Sequence, residues 1–533
     1  MRALSLSVVL AAVSGAACHA SQLSSCTQQH CGLTAQTHGG QVHGFVNPET
    51  PSVRRFLRIP YAQPPVSELR FAPPQPALPF GELNATEFGP SCIQFLLTTP
   101  PDIYTQVVNQ FNIQGLNETS KDVSEDCLTL SVWAPACPKD ACGAPLPVLM
   151  FVFGGAFMMG GENVPYQIPA KWVQRTQDHI IVTFNYRLSI FGFPNAAGLS
   201  EDQQNLGLMD QRLAVEWVRD NIAAFGGDPD RIVLWGQSAG AVSAGYYQYA
   251  YPEYPIISGI IQDSGSETLA AGELSTSDTT HSNFTTVAAA VGCNTTSPEE
   301  QLACMRSDHV SALSIIDTIE TNNAAGKPIL IFTPVADNQI IFTDYTARSE
   351  AGQLAHIPSI IGSNANDGGA FVPLDLPSMS INQTLAAGAT LAFFFCPAQL
   401  GAADRLLANL PVYRFLYAGN FPNISPLPFL GAYHESELPL LFGTHEDFRG
   451  PSTPLEEETS IAMQDSWVAF ARAGVQGMEE VGWPRYTGEE GPGSLVREFG
   501  AGVAAQDVSL SQQDGLCAAM KKAADDAAKM LTT

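Results

Sequence analysis

The 533-residue sequence predicts an α/β protein with a large, mostly parallel central sheet flanked by helices. Two observations carry that expectation: short apolar runs that alternate with helical patterns, and a Gly-x-Ser-x-Gly pentapeptide set between a strand-like run and a helical stretch. The first run, 148–153, ends in the glycine-rich turn Gly154-Gly155-Ala156-Phe157, and the second spans 180–186. A helix follows in which Leu213, Trp217, Val218 and Ile222 fall on one stripe. The turn Gly226-Gly227-Asp228-Pro229 then delivers the chain into the run 232–235, and the runs 260–261, 360–361 and 412–417 complete the alternation.

The pentapeptide Gly236-Gln237-Ser238-Ala239-Gly240 has the chemistry of a nucleophile elbow. So tight a turn needs small neighbours, and it lifts the Ser238 hydroxyl to where a histidine and an ester carbonyl can reach it. Serine is a weak nucleophile at neutral pH, so a histidine must take its proton and an acid must hold that histidine in the right tautomer. In the α/β-hydrolase plan both follow the serine, the acid first. Only His281, His309, His356, His434 and His445 lie downstream of Ser238. The strand at 360–361 runs into the loop Ser363-Asn364-Ala365-Asn366-Asp367-Gly368-Gly369, which sets Asp367 at a strand end. His434 stands behind the flexible Gly431-Ala432 step and is favoured over His445, which lies in the polar run Thr444-His445-Glu446-Asp447. Taken alone, each is an ordinary core histidine or turn residue; with the elbow they compose a triad. The oxyanion of the tetrahedral intermediate needs backbone donors, each worth about 3 kcal/mol in comparable sites. The amides of Gly155, Ala156 and Ala239 are the candidates.

These motifs resemble the type-B carboxylesterase/lipase family. Glu125-Asp126-Cys127-Leu128-Thr129-Leu130 is similar to one family signature. Asn205-Leu206-Gly207-Leu208-Met209-Asp210-Gln211, leading through Phe225-Gly226-Gly227-Asp228-Pro229 to the elbow, is similar to the other. Further similar stretches at 56–62, 69–71 and 483–486 extend the resemblance over nearly the whole chain beyond its first twenty residues. It implies a secreted, fungal-type carboxylesterase on the α/β-hydrolase fold, with Ser238 as nucleophile, Asp367 as acid, His434 as base, and Gly155, Ala156 and Ala239 as oxyanion hole. No metal and no organic cofactor is implied. The implied disulfides are Cys92 with Cys127, Cys293 with Cys304, and Cys396 with Cys517.

The chain departs from the family pattern at four places. Asp367 stands where Glu is common, one methylene shorter, so the loop or the histidine must move closer. Ala156 replaces a usual glycine, which keeps the amide but adds a methyl and penalises positive φ. Phe153 stands where many carboxylesterases carry His. Gln237 replaces the frequent Glu beside the nucleophile. With no charge at 237 and no Trp between Cys92 and Cys127, a site for a quaternary ammonium is poorly supported, and a cholinesterase is not expected.

Residues 1–20, with Arg2, an apolar run at 4–13 and the small-residue end Ala17-Cys18-His19-Ala20, read as a secretory signal. No other stretch approaches the roughly 18 uninterrupted apolar residues of a membrane span, so no integral membrane association is expected. Loss of Cys18 leaves ten of the eleven cysteines, an even number that favours disulfides over metal ligands. Beyond the three implied pairs, Cys26 with Cys31 and Cys137 with Cys142 are the local pairings. Sequons at Asn84, Asn117, Asn283, Asn294, Asn382 and Asn423 belong to the same compartment.

The formal charge of −27 argues against nucleic acid or an anionic membrane as partner. With 45% hydrophobic and 14% charged residues the composition is that of a globular protein. The catalytic candidates spread from Gly155 to His434 without a linker or repeat, so 21–533 is read as a single domain. Within it the loop closed by Cys92 and Cys127 carries many apolar residues. The resemblance implies a gorge wall or lid there, and the residues themselves support a plain surface loop resting its apolar side on the core equally well. The run Phe393-Phe394-Phe395 reads as core or acyl-pocket lining.

The expectation is a secreted serine hydrolase acting on small-molecule or lipid carboxylic esters. An interfacial triacylglycerol lipase and a noncatalytic binding or adhesion protein on the same fold are the alternatives.

Overall fold

The computed structural model describes residues 32–94, 123–136, 144–270, 278–488 and 494–520. The expected signal segment 1–20, Cys26, Cys31, Cys137, Cys142, the sequon at Asn117 and residues 95–122 of the expected lid lie outside them.

An eleven-stranded sheet organises the fold. In chain order its strands are β1 (Phe45–Asn47), β2 (Thr50–Pro60), β3 (Thr129–Pro135), β4 (Leu146–Val152), β5 (Ile180–Phe184), β6 (Gly227–Gln237), β7 (Gly259–Asp263), β8 (Ser359–Asn364), β9 (Val412–Tyr417), β10 (Leu495–Phe499) and β11 (Ala505–Ser509). Across the sheet they lie in the order β11-β10-β9-β8-β7-β6-β4-β5-β3-β2-β1. Every pair from β10 to β5 is parallel, and the antiparallel pairs are confined to the two ends. All six apolar runs are strands of this sheet. Three extend beyond their apolar letters: β6 runs from Gly227 to Gln237, β7 continues through buried Gln262 and Asp263, and β8 begins at buried Ser359 and ends at buried Asn364.

The helices that bear on the site are α1 (Leu206–Asn221), α2 (Ala239–Ala250), α3 (Gln383–Thr390), α4 (Cys396–Leu407) and α5 (Pro454–Ala473). The buried face of α1 centres on Ala214, Val215 and Val218, which places Leu213 and Trp217 at its margin, half-buried, rather than on the expected central stripe. Helix α2 is almost entirely buried against β6 and β7, and its glycine lets it approach closely: a Cβ on Gly245 would fall 2.7 Å from Gln262 Nε2 of β7.

The signature segments owe their positions to buried ion pairs. Arg70 grips both oxygens of Glu125 at 2.6 and 2.7 Å, and Arg187 grips both oxygens of Asp210 at 2.7 and 2.8 Å. Bidentate guanidinium–carboxylate geometry fixes orientation as well as distance. Disulfides join Cys92 to Cys127, Cys293 to Cys304 and Cys396 to Cys517.

Asn84, Asn294 and Asn382 are exposed, and half-buried Asn283 donates from Nδ2 to Ile331 O at 3.1 Å. Asn423 is a correction to the sequon reading. Its side chain is buried, and Nδ2 donates to His445 O at 2.7 Å and to Glu456 Oε1 at 3.0 Å, so the atom that would carry a glycan is committed to the core.

Candidate active site

Ser238 follows the last residue of β6 and precedes α2, with φ 55° and ψ −123°. So strained a backbone for a side-chain-bearing residue persists only when its surroundings over-determine it. The sequence meets that condition with glycines. A Cβ on Gly236 would lie 2.2 Å from Gly240 C, and one on Gly240 would lie 2.0 Å from Val152 O. The Ser238 N–H donates to Asp263 O at 2.8 Å, which ties the elbow to the neighbouring strand β7.

The turn after β4 lies against the elbow, since a Cβ on Gly154 would come within 2.9 Å of Ser238 Cβ. Gly155 has φ 99°, and Ala156 and Phe157 follow at 55° and 61°. Ala156 therefore adopts the left-handed conformation that its glycine-like position demands, at a steric cost. The amides of Gly155, Ala156 and Ala239 donate to no acceptor among the described residues. Phe153 takes no part in this surface. It is buried and stacked on Tyr186 at 4.5 Å, in the core beneath the turn.

The acid and the histidine arrive from two loops joined by a single parallel bridge between Asn366 and Tyr433. Asn366 N–H donates to Ala432 O at 2.9 Å and its Nδ2 to Leu430 O at 2.7 Å. Asp367 Oδ1 lies 2.7 Å from His434 Nδ1, with both side chains fully buried. The shorter side chain thus reaches the imidazole. Its other oxygen, Oδ2, accepts from Asn364 N–H at 2.7 Å and from Ser264 Oγ at 3.0 Å. Three partners converge on one buried carboxylate and fix its orientation. His445 is elsewhere, bonded to Ser452 Oγ and near Glu456.

On its other edge His434 Nε2 lies 3.2 Å from Gln237 Nε2. With Nδ1–H donated to Asp367, Nε2 is an acceptor that receives an N–H from Gln237, the residue before Ser238. The elbow and the basic nitrogen therefore face one another. A glutamate here would put a second anion beside the imidazole; Gln237 supplies a neutral dipole. Phe371 and Phe394 cover the ring at centroid distances of 5.1 and 4.6 Å.

Sequence reasoning missed the layer below. Ser264 and Asn364 steady Asp367, and Asp263 and Glu437 are fully buried beside them. Asp263 Oδ2 accepts the Trp235 indole N–H at 2.6 Å, and Asn364 Nδ2 donates to Glu437 Oε2. Burial raises the Asp263 carboxyl well above the usual range, helped by the charges of Glu437 and Asp367. Burial likewise raises Glu437 to about 8, and Glu162, behind the glycine turn, to about 7. The available signal was the polar Asp263-Ser264 pair at the end of a strand beside the elbow.

These raised acids set a pH dependence of stability. A carboxyl whose folded pKa lies above its unfolded value of about 4.3 binds more proton in the native state. Its contribution is complete at acid pH and is lost as pH rises through the folded pKa, at up to about 1.4 kcal/mol per unit. His179, whose protonation burial disfavours, opposes this trend only below about 6.5. The unfolding midpoint is expected to fall between pH 6.5 and pH 8 for Glu437 at about 8. Glu437→Gln should shrink that fall in a calorimetric pH series; an unchanged slope would count against the buried neutral acid.

Residues 32–390 and 378–498 match the carboxylesterase family. The chain is 46% identical over 447 residues to the chlorogenic acid esterase of Aspergillus niger, covering 84% of each chain. It is 40% identical over 489 residues to secreted lipase 5 of Gibberella zeae, covering 87% of this chain and 90% of the relative. Similarity extends, at 28% identity over 512 residues, to the acetylcholinesterase of Bungarus fasciatus, with 86% of this chain and 82% of that one covered.

Proposed function

The chain belongs to the carboxylesterase family and is a carboxylic ester hydrolase, and we propose that Ser238, His434 and Asp367 carry its chemistry. Ser238 Oγ attacks the ester carbonyl while His434 Nε2 takes its proton, and the carbonyl oxygen becomes an oxyanion held by the amides of Gly155, Ala156 and Ala239. Collapse expels the alcohol, which receives the proton from His434 and leaves the acyl group on Ser238. Water then repeats the sequence, and the acid product leaves. The observation that carries this reading is the 2.7 Å contact between Asp367 Oδ1 and His434 Nδ1, with Nε2 turned toward the elbow. With Nδ1 held by Asp367, Nε2 is the basic nitrogen, and it must exchange its Gln237 contact for the serine hydroxyl when it takes the proton.

We further infer export, from the signal-like residues 1–20 and from the Gibberella relative, which is named a secreted lipase. The names of the two fungal relatives bracket the substrates to test. The experiment is the initial rate of the secreted protein on p-nitrophenyl esters from acetate to palmitate and on chlorogenic acid, with covalent labelling by an organophosphate. Turnover together with labelling of Ser238 is expected. Absence of both would return the chain to the noncatalytic reading of the fold.

A further inference from the structure

We propose that the segment around 371–393 is a surface that seats on an uncharged ester–water interface, the face of aggregated or lipid-borne esters, and so presents the site to them. The proposal rests on the ester-hydrolase reading and adds a recognition surface to it.

Fifteen large apolar side chains are exposed among the described residues, and five of them, Phe371, Leu376, Met379, Leu385 and Phe393, fall within these 23 positions. They are between 38% and 55% exposed and crowd into a short stretch of chain. The charge pattern agrees. Residues 368–403 contain one charged side chain, Asp375, in a protein of formal charge −27. A surface cleared of charge on so acidic a molecule matches an uncharged lipid and not an anionic one.

The backbone supports the same reading. Among the described residues the run Gln383–Leu407, which comprises α3, a π-helical turn (Leu391–Phe395) and α4, is the one helical stretch long and apolar enough to cross a membrane. Its second half is held in the protein. Cys396 is bonded to Cys517, and Arg405 pairs with Glu267 at 2.7 Å, both side chains fully buried. The first half, α3, leaves Leu385 in solvent. The exposed side of α3 sets Leu385 and Ala387 beside the uncharged Gln383 and Thr384, and a helix fixed at one end with such a face lies against an interface instead of spanning it. The surface is also continuous with the chemistry: Phe371 stacks on Phe394 at 5.4 Å, and both rings cover His434. An ester drawn to this face arrives beside the base.

The test is flotation of the full protein as it is secreted, and again after N-glycan trimming, with phosphatidylcholine vesicles and with phosphatidylglycerol vesicles; binding that appears only after trimming overturns the proposal, since Asn382 lies in the face. The native protein should float with the first and less with the second. Leu376→Glu with Leu385→Glu should reduce the bound fraction by about tenfold or more. The same variant should turn over dissolved p-nitrophenyl butyrate within about twofold of native, which also reports its folding. Failure of the native protein to bind phosphatidylcholine, or equal binding by the variant, overturns the proposal. So does a native dimer that the variant converts to monomer with flotation unchanged, since the face would then serve a second copy. Flotation without turnover of any ester would support this surface and overturn the hydrolase reading instead.

Discussion

Ser238→Ala lowers kcat on every ester by on the order of 10⁵- to 10⁶-fold, the loss seen when a triad serine is removed, and leaves the fold intact. The fold depends on this residue through its backbone: its N–H donates to Asp263 O at 2.8 Å and its O accepts from Val242 N–H at 2.9 Å. Alanine makes both bonds, and it meets the same positive φ of 55° that serine already tolerates. Secretion yield and unfolding midpoint should therefore match the native protein while the rate on p-nitrophenyl butyrate drops to that of the amides and binding groups alone. A variant that keeps more than about a hundredth of native kcat would remove Ser238 from the mechanism.

Asp367→Asn should cost about 10⁴ in kcat, with KM little changed, because it inverts a tautomer without moving an atom far. The surroundings decide how the new amide sits. Asn364 N–H and Ser264 Oγ both donate to the present Oδ2, so the amide oxygen must occupy that place and the NH₂ must face His434. A donor against Nδ1 forces the imidazole proton onto Nε2, the nitrogen that has to accept from serine. Single-turnover kinetics would separate this from a binding defect. Near-native kcat in the variant would mean that the acid is supplied by another residue, Glu437 being the nearby candidate.

The elbow was legible because its chemistry and its sterics coincide in five consecutive letters. Gly236 and Gly240 are glycines because neighbouring backbone comes within 2.2 Å of any Cβ there. The six apolar runs were legible for a similar reason, since a strand buried on both faces must be apolar in nearly every letter. Asp367 and His434 were found by order along the chain and by loop context, without any account of what joins them. The two loops meet through a bridge between Asn366 and Tyr433 and the hydrogen bonds around it, and no local pattern encodes a pairing across so much chain.

Asn423 shows the opposite failure. A sequon is three letters, and burial of the asparagine depends on His445 and Glu456, which are brought to it from elsewhere in the chain. The helical stripe of α1 was misplaced by part of a turn, because Leu213 and Trp217 are apolar yet lie at the edge of the contact while small Ala214 fits its centre.

By itself, then, the sequence determined what is local: the parallel α/β alternation, the tight turn that carries Ser238, and the glycine-rich turn after β4. Tertiary structure alone decided what is made by convergence. It brought Asn364 and Ser264 to one oxygen of Asp367 and Gln237 to the far nitrogen of His434. It buried Asp263 and Glu437 without an ion-pair partner among the described residues, and it left Leu385 of α3 in solvent. The physical reason is the range of the interactions. Steric and hydrogen-bonding demands on a turn act between neighbours in the chain and so leave a pattern in it. Desolvation and charge act between neighbours in space, and those are set only when the sheet has closed the distance.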